Sequence, residues 1–144
     1  MQLESVDYVD TFIAVSEDCP VPEGTVPPDA RPTIASLSFR MLAGRPYELT
    51  SGDVLFGVHA ERRGIPEEER AAARAEFFAK PQPCLRASDL GRRYGWGLHA
   101  DGAGRLALVG AGTPEYAEFA EGRFPTTGGE RGTVRRAMRR ARKK

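Results

Sequence analysis

Between Gln82 and His99 the chain places a thiol, a guanidinium, an indole and an imidazole within one short stretch: Cys84, Arg86, Trp96 and His99. Each type has a distinct chemistry. A thiolate is a nucleophile or metal ligand, and a guanidinium grips carboxylates and phosphates through paired hydrogen bonds. An imidazole changes charge near neutral pH, and an indole offers a large planar face. If Trp96 and Leu98 begin a hairpin that returns through Leu106 and Leu108, Gly95, Gly97 and Ala107 share the opposite face, with His99 set across from Arg105. Strand glycines let a ligand or another backbone approach closely. Cys84, Arg86, Trp96, His99 and Arg105 are therefore the candidate contacts for an anionic or planar small molecule. The competing reading is a packing surface in which Gly97 admits a helix and His99 sits at a solvated rim.

Other constellations are weaker. Cys84 as a catalytic nucleophile needs a base within reach, and His59 or His99 could serve, but neither spacing is diagnostic. Cys19, His59, Cys84 and His99 have metal-ligand chemistry without the paired spacing of zinc sites, so no metal and no cofactor are expected. Glu67, Glu68 and Glu69 suit the positive end of a helix dipole rather than acid–base catalysis. Gly102, Gly104, Gly110 and Gly112 surround a hairpin, not the strand-to-helix turn that cradles phosphates.

The elements that must position these residues are legible in part. Thr11 to Val15 is short, apolar and β-rich, and predicts a strand. Residues 18–32 hold five prolines and a glycine and predict a long irregular loop. In 33–43 the positions Ile34, Leu37 and Met41 fit a helical stripe that Gly44 and Pro46 would stop. Thr50 with Asp53 forms a capping-box pattern opening a helix to about residue 62. Pro66 and the three glutamates open another that runs through an alanine-rich stretch to Lys80. Ser88 and Gly95 bracket a short helix, and Thr113-Pro114 opens one that ends at Gly122. In the hairpin, pairing 98 with 106 and 96 with 108 puts Trp96, Leu98, Leu106 and Leu108 on one buried face. The expected fold is α+β: a small antiparallel sheet containing the hairpin of about 94–109, covered by three or four helices.

The stretch QPCLRASDLGRRYGWGLH from Gln82 to His99 resembles a family of small bacterial proteins classed as a domain of unknown function. Its members carry Gln-x-Cys-Leu-Arg-x-Ser followed by Arg-Tyr-Gly-Trp-Gly-x-His. Asp7-Tyr8 to Pro20 and Pro46-Tyr47 to Phe56 also match, so the resemblance covers most of residues 5–121. Pro81 and Gly52 depart from the glycine and aspartate of that pattern. The resemblance implies a shared fold and brings no activity with it.

The formal charge of +1 conceals an asymmetry. Residues 1–130 carry thirteen basic and twenty acidic side chains, a formal −7, whereas 131–144 carry eight basic and no acidic ones, a formal +8. The expected organisation is one globular domain over 1–121, a glycine-rich linker at 122–132 and a basic amphipathic tail over 133–144. In the tail Val134, Ala137, Met138 and Ala141 recur at helical spacing. Such a tail suits either its own acidic body or an outside polyanion. Arg135, Arg136, Arg139 and Arg140 are the candidate nucleic-acid contacts, with no aromatic residue there for base stacking. No apolar run approaches the roughly 20 residues of a membrane span, and the N-terminus has no secretory pattern. Cytoplasm is the expected location and free thiols the expected state of Cys19 and Cys84. The leading expectation is a small-molecule-binding domain, an enzyme being one form of it. The alternatives are a nucleic-acid-associated protein acting through its tail and an interaction module without a ligand.

Overall fold

Four consecutive buried residues, Thr11–Ala14, form strand β1 at the centre of the molecule. A computed structural model describes residues 3–140 and supplies the architecture. Burial on both faces of the sheet explains why β1 reads as an unbroken β-rich run rather than an alternating one. The hairpin strands are β2 (Trp96–Ala100) and β3 (Leu106–Gly110), and a fourth strand, β4, spans Thr133–Arg136. The sheet order is β3-β2-β1-β4. β1–β2 and β2–β3 are antiparallel, whereas β4 runs parallel to β1 with Thr11 opposite Thr133. The fold is α+β, with a sheet that is mixed rather than wholly antiparallel.

Five helices accompany the sheet among the described residues: α1 (Ile34–Leu42), α2 (Ser51–Arg63), α3 (Arg70–Phe78), α4 (Asp89–Arg92) and α5 (Pro114–Ala120); α3 packs on α2. Their starts are set by capping chemistry. Thr33 and Ser36 form a capping box on α1, and Thr50 and Asp53 form one on α2, each satisfying backbone donors that the first turn leaves without partners. Ser88 and Thr113 cap α4 and α5. Glu67–Glu69 forms a tight 3-10 turn ahead of α3, so the alanine-rich helix begins later than its sequence suggests.

Residues at even and odd positions of the strands part cleanly. Ile13, Leu98 and Leu106 pack with Leu37, Leu42, Val54, Val58 and Leu90 beneath α1, α2 and α4. Phe12, Ala14 and Val109 pack with Phe124, Tyr116 and Phe119 beneath α5. Trp96, Leu98, Leu106 and Leu108 do share a face, but the register is Leu98 opposite Leu108 and Ala100 opposite Leu106. This is two residues from the expected pairing. A shift of two preserves which side chains share a face, so the face assignment survives the register error. The tighter loop is closed by Asp101, whose Oδ1 accepts from the N–H groups of Ala103 and Arg105.

The tail differs from expectation. Residues 133–136, read as the start of an amphipathic helix, are a strand. Thr133 N–H donates to the Asp10 carbonyl at 3.2 Å and Ala137 N–H to the Ala14 carbonyl at 2.8 Å. Residues 141–144, with Ala141 of the helical pattern, lie outside the described residues. Ala137 is 4% exposed and belongs to the core. Elsewhere Arg74 joins Glu4 at 2.5 Å and Asp53 at 2.9 Å, tying the N-terminal segment to α2 and α3. Gly52 lies against this cluster. A Cβ there would run into the Glu4 carboxylate, so a side chain at this position competes with the ion pair.

Candidate functional site

Leu55, Val58, His59 and Arg62 stand at helical spacing on one side of α2, which brings them along a single stripe. That stripe borders a cleft of about 240 Å³. Its other walls are Ile34 and Ser38 of α1, Phe77 of α3 and the segment 82–88. Leu55, Val58, Phe77 and Leu85 make it largely apolar, while Cys84, Gln82, Ser38 and Ser88 add polar atoms. This volume lies just below the range of about 300–1,000 Å³ usual for ligand pockets.

Several of those polar groups are already engaged. Gln82 Nε2 donates to the Phe77 carbonyl at 2.8 Å, closing the end of α3. Ser38 Oγ donates to the Ile34 carbonyl, and Ser88 Oγ accepts from Leu90 N–H. Cys84 Sγ lies 3.1 Å from the Tyr8 hydroxyl. Burial pushes the Tyr8 phenol up, the Cys84 contact pushes it further, and Arg86 and Arg135 draw it back. Two groups remain open. The His59 ring stacks at 4.5 Å and 36° on Phe77. Neither His59 nor Arg62 makes a hydrogen bond or ion pair among the described residues. Among the described residues no carboxylate lines the cleft, although the chain holds twenty acidic side chains.

The five residues singled out for ligand contact are dispersed. Cys84 alone of them lines the cleft. Arg86 Nε donates to the Arg136 carbonyl at 2.8 Å and so holds β4. Trp96 donates from Nε1 to the Thr25 carbonyl at 2.8 Å and packs on Phe39 at 5.4 Å, fastening the proline-rich loop. Arg105 is exposed at the end of the hairpin. His99 faces α5, and it stands opposite Ala107 rather than Arg105.

The glycine-lined face is filled. A Cβ on Gly97 would collide with the Phe12 ring and come within 3.1 Å of Tyr116, so the glycine admits aromatic packing. His99, read as a rim residue on the packing interpretation, is 3% exposed. Its ring lies 4.8 Å from Phe119 and 4.6 Å from Phe124. Nδ1 pairs with the Tyr47 hydroxyl at 2.7 Å, and Nε2 is buried without a partner. Burial holds the His99 pKa below its usual value, with Asp101 and Asp10 pulling the other way.

In the tail, Arg136 Nη1 donates to the Val15 carbonyl at 3.2 Å and Arg139 pairs with Glu17 at 2.9 Å. The Arg140 backbone N–H donates to the Asp18 carboxylate at 2.9 Å. Arg135 is exposed on β4, opposite Ile13 in register. Cys19 and Cys84 are free thiols. Among the described residues no group of three or more His, Cys, Asp or Glu is arranged to hold a metal ion, and no helix is long and apolar enough to cross a membrane.

The cleft was missed by the sequence reading because its parts come from four separate segments. Its one local signal is the 55-58-59-62 stripe, which mixes two apolar residues with two cationic or ionisable ones on a single helix face. Fold and cleft together define an α+β domain with a mixed four-stranded sheet and a helix-walled, largely apolar recess that His59 and Arg62 border. The chain belongs to the Family of unknown function (DUF6157), whose model matches residues 3–134. The matched region runs past residue 121 and ends inside β4. No curated protein and no solved structure matches the chain.

Proposed function

We propose that this chain is a small-molecule-binding domain whose ligand sits in the cleft between α1, α2 and residues 82–88. The apolar or planar body of the ligand rests on Leu55, Val58 and Phe77, and an anionic head meets Arg62 and His59. The observation that carries this reading is the imbalance of the lining: an apolar recess whose two unpaired polar side chains, Arg62 and His59, can each donate a hydrogen bond, with no carboxylate in the lining among the described residues. A carboxylate or phosphate gives Arg62 the paired hydrogen bonds its planar fork favours. Arg86, proposed from sequence as the anion anchor, gives way to Arg62, because its guanidinium is already bonded to β4.

The test is a thermal-shift screen of small aromatic and aliphatic carboxylates and phosphates. At least one should raise the Tm of the wild type, since a ligand that binds only the folded state stabilises it by mass action. Ile34→Trp, placed at an exposed position on the cleft wall, should fold normally and lose the response. Arg62→Ala should weaken it. A panel with no wild-type response, or a response that survives Ile34→Trp, would remove the cleft as the site.

The alternative of nucleic-acid association through the tail draws less support. Arg136, Arg139 and Arg140 are engaged with Val15, Glu17 and Asp18, so a polyanion must displace contacts the protein already makes.

A further inference from the structure

We infer that residues 136–140 are a strap that holds one wall of the cleft in place and so controls access to Cys84; this rests on the reading of the cleft as the ligand site. The wall in question is the 3-10 turn Leu85–Ala87, flanked by Cys84 and Ser88. Arg86 at its centre is bonded twice to the tail. Its Nε donates to the Arg136 carbonyl at 2.8 Å, and its own carbonyl accepts from Met138 N–H at 2.8 Å. Between those two bonds Ala137 is buried in the same core as Leu85. Its Cβ lies 3.0 Å from where a side chain on Gly91 would begin, so the strap also seats against α4.

Past this neutral grip the strap is fastened by charge. Arg139 pairs with Glu17, and Arg140 N–H with the Asp18 carboxylate. Arg92 Nη2 donates to the Arg139 carbonyl at 3.2 Å. Arg139 and Glu17 are 41% and 60% exposed, so their attraction is weak and screened by salt. The strap therefore has two arrangements. Docked, it gives Arg86 both partners and packs Ala137. Released, it leaves the turn of residues 85–87 without its outer support and widens the approach to Cys84. Ionic conditions bias the equilibrium through Glu17 and Asp18. By linkage, a ligand that prefers the closed cleft favours the docked strap by the same factor.

The experiment uses the full chain with Cys19→Ser, so that Cys84 is the thiol measured, and follows its alkylation by iodoacetamide with mass spectrometry. No cleft ligand is involved, so an empty ligand screen would leave the outcome for the strap intact. Met138→Pro removes the N–H that bonds Arg86, at an exposed position that is not itself part of the cleft lining. It should raise the alkylation rate about fivefold, the population change expected from one lost hydrogen bond. Glu17→Lys keeps every backbone contact and reverses the charge beneath Arg139. It should raise the rate at about 0.05 M salt and less at about 1 M, where screening shortens the reach of charge to ~3 Å. The parent rate should climb with salt over the same range. If Met138→Pro fails to fold, Glu17→Lys decides the question. Folded variants that label at the parent rate, with no salt dependence in the parent, would overturn the strap.

Discussion

The two histidines occupy opposite sides of the sheet and opposite physical situations. His99 is sealed under α5 among Phe119 and Phe124, with one ring nitrogen on Tyr47 and the other buried without a partner. His59 borders an apolar recess, stacked on Phe77, with both nitrogens unpaired by protein among the described residues. Motif reasoning favours His99, because it closes the run of Cys84, Arg86, Trp96 and glycines. The geometry favours His59, because a ligand can reach it. Proximity in sequence placed His99 with Arg86, but His99 faces α5 from β2, whereas Arg86 lies in the turn Leu85–Ala87 and holds β4. On the His99 side aromatic rings fill the space around an imidazole that is 3% exposed, and on the cleft side a recess stays open beside His59.

Removing the centre of the sealed side gives the largest expected effect. Phe12 is 0% exposed and meets Tyr116 and Phe119 edge-on at 5.3 and 5.7 Å. Phe12→Ala should cost about 3–5 kcal/mol in urea unfolding, the usual consequence of emptying a buried aromatic site. A cost below about 1 kcal/mol would mean that this side is not a packed core.

Acid should act on the sealed histidine next. Burial disfavours the imidazolium, so the folded-state pKa of His99 lies below the unfolded value of about 6.5. The unfolded chain therefore binds the proton first as pH falls. The stability tied to His99 is fully present above about pH 6.5, declines as pH drops from there towards the lower folded pKa, and levels off beneath it. The urea midpoint should fall between pH 7.5 and 5.5, and His99→Phe should remove that part of the slope. An unchanged slope in the variant would assign the titration elsewhere. Tyr47 adds to the strain on this side, since it adopts a left-handed backbone (φ 60°) that tyrosine rarely takes while bonding His99.

The smallest effect on stability belongs to the cleft side. Arg62→Ala should change stability by less than about 0.5 kcal/mol and His59→Ala by no more than about 1.5 kcal/mol, because neither removes a hydrogen bond or ion pair among the described residues and His59→Ala gives up only ring packing on Phe77. The contrast with Phe12→Ala sharpens if the same two variants lose the thermal-shift response. A loss of several kcal/mol from Arg62→Ala would show that it is a structural residue and blur the comparison.

Much of the framework was written locally. Thr50 with Asp53 announced α2, Thr113-Pro114 announced α5, and the alternation around Leu98 and Leu106 placed the correct side chains on the core face even with the pairing two residues out. These features depend on neighbours within a few positions, where side chain and backbone meet whatever the rest of the chain does. The charge contrast between body and tail was likewise plain in composition. What only the tertiary structure decided were the contacts that join distant segments. Val134, Ala137 and Met138 recur at helical spacing, yet residues 133–136 form a strand, because β1 offers an open edge and Arg86 and Gly91 offer seats for residues 136–138. A parallel pairing across more than a hundred residues leaves no local signature. The cleft has the same origin. Its stripe lies on one helix, but its walls come from α1, α3 and the turn beside Cys84, and no spacing along the chain encodes a volume enclosed by all of them.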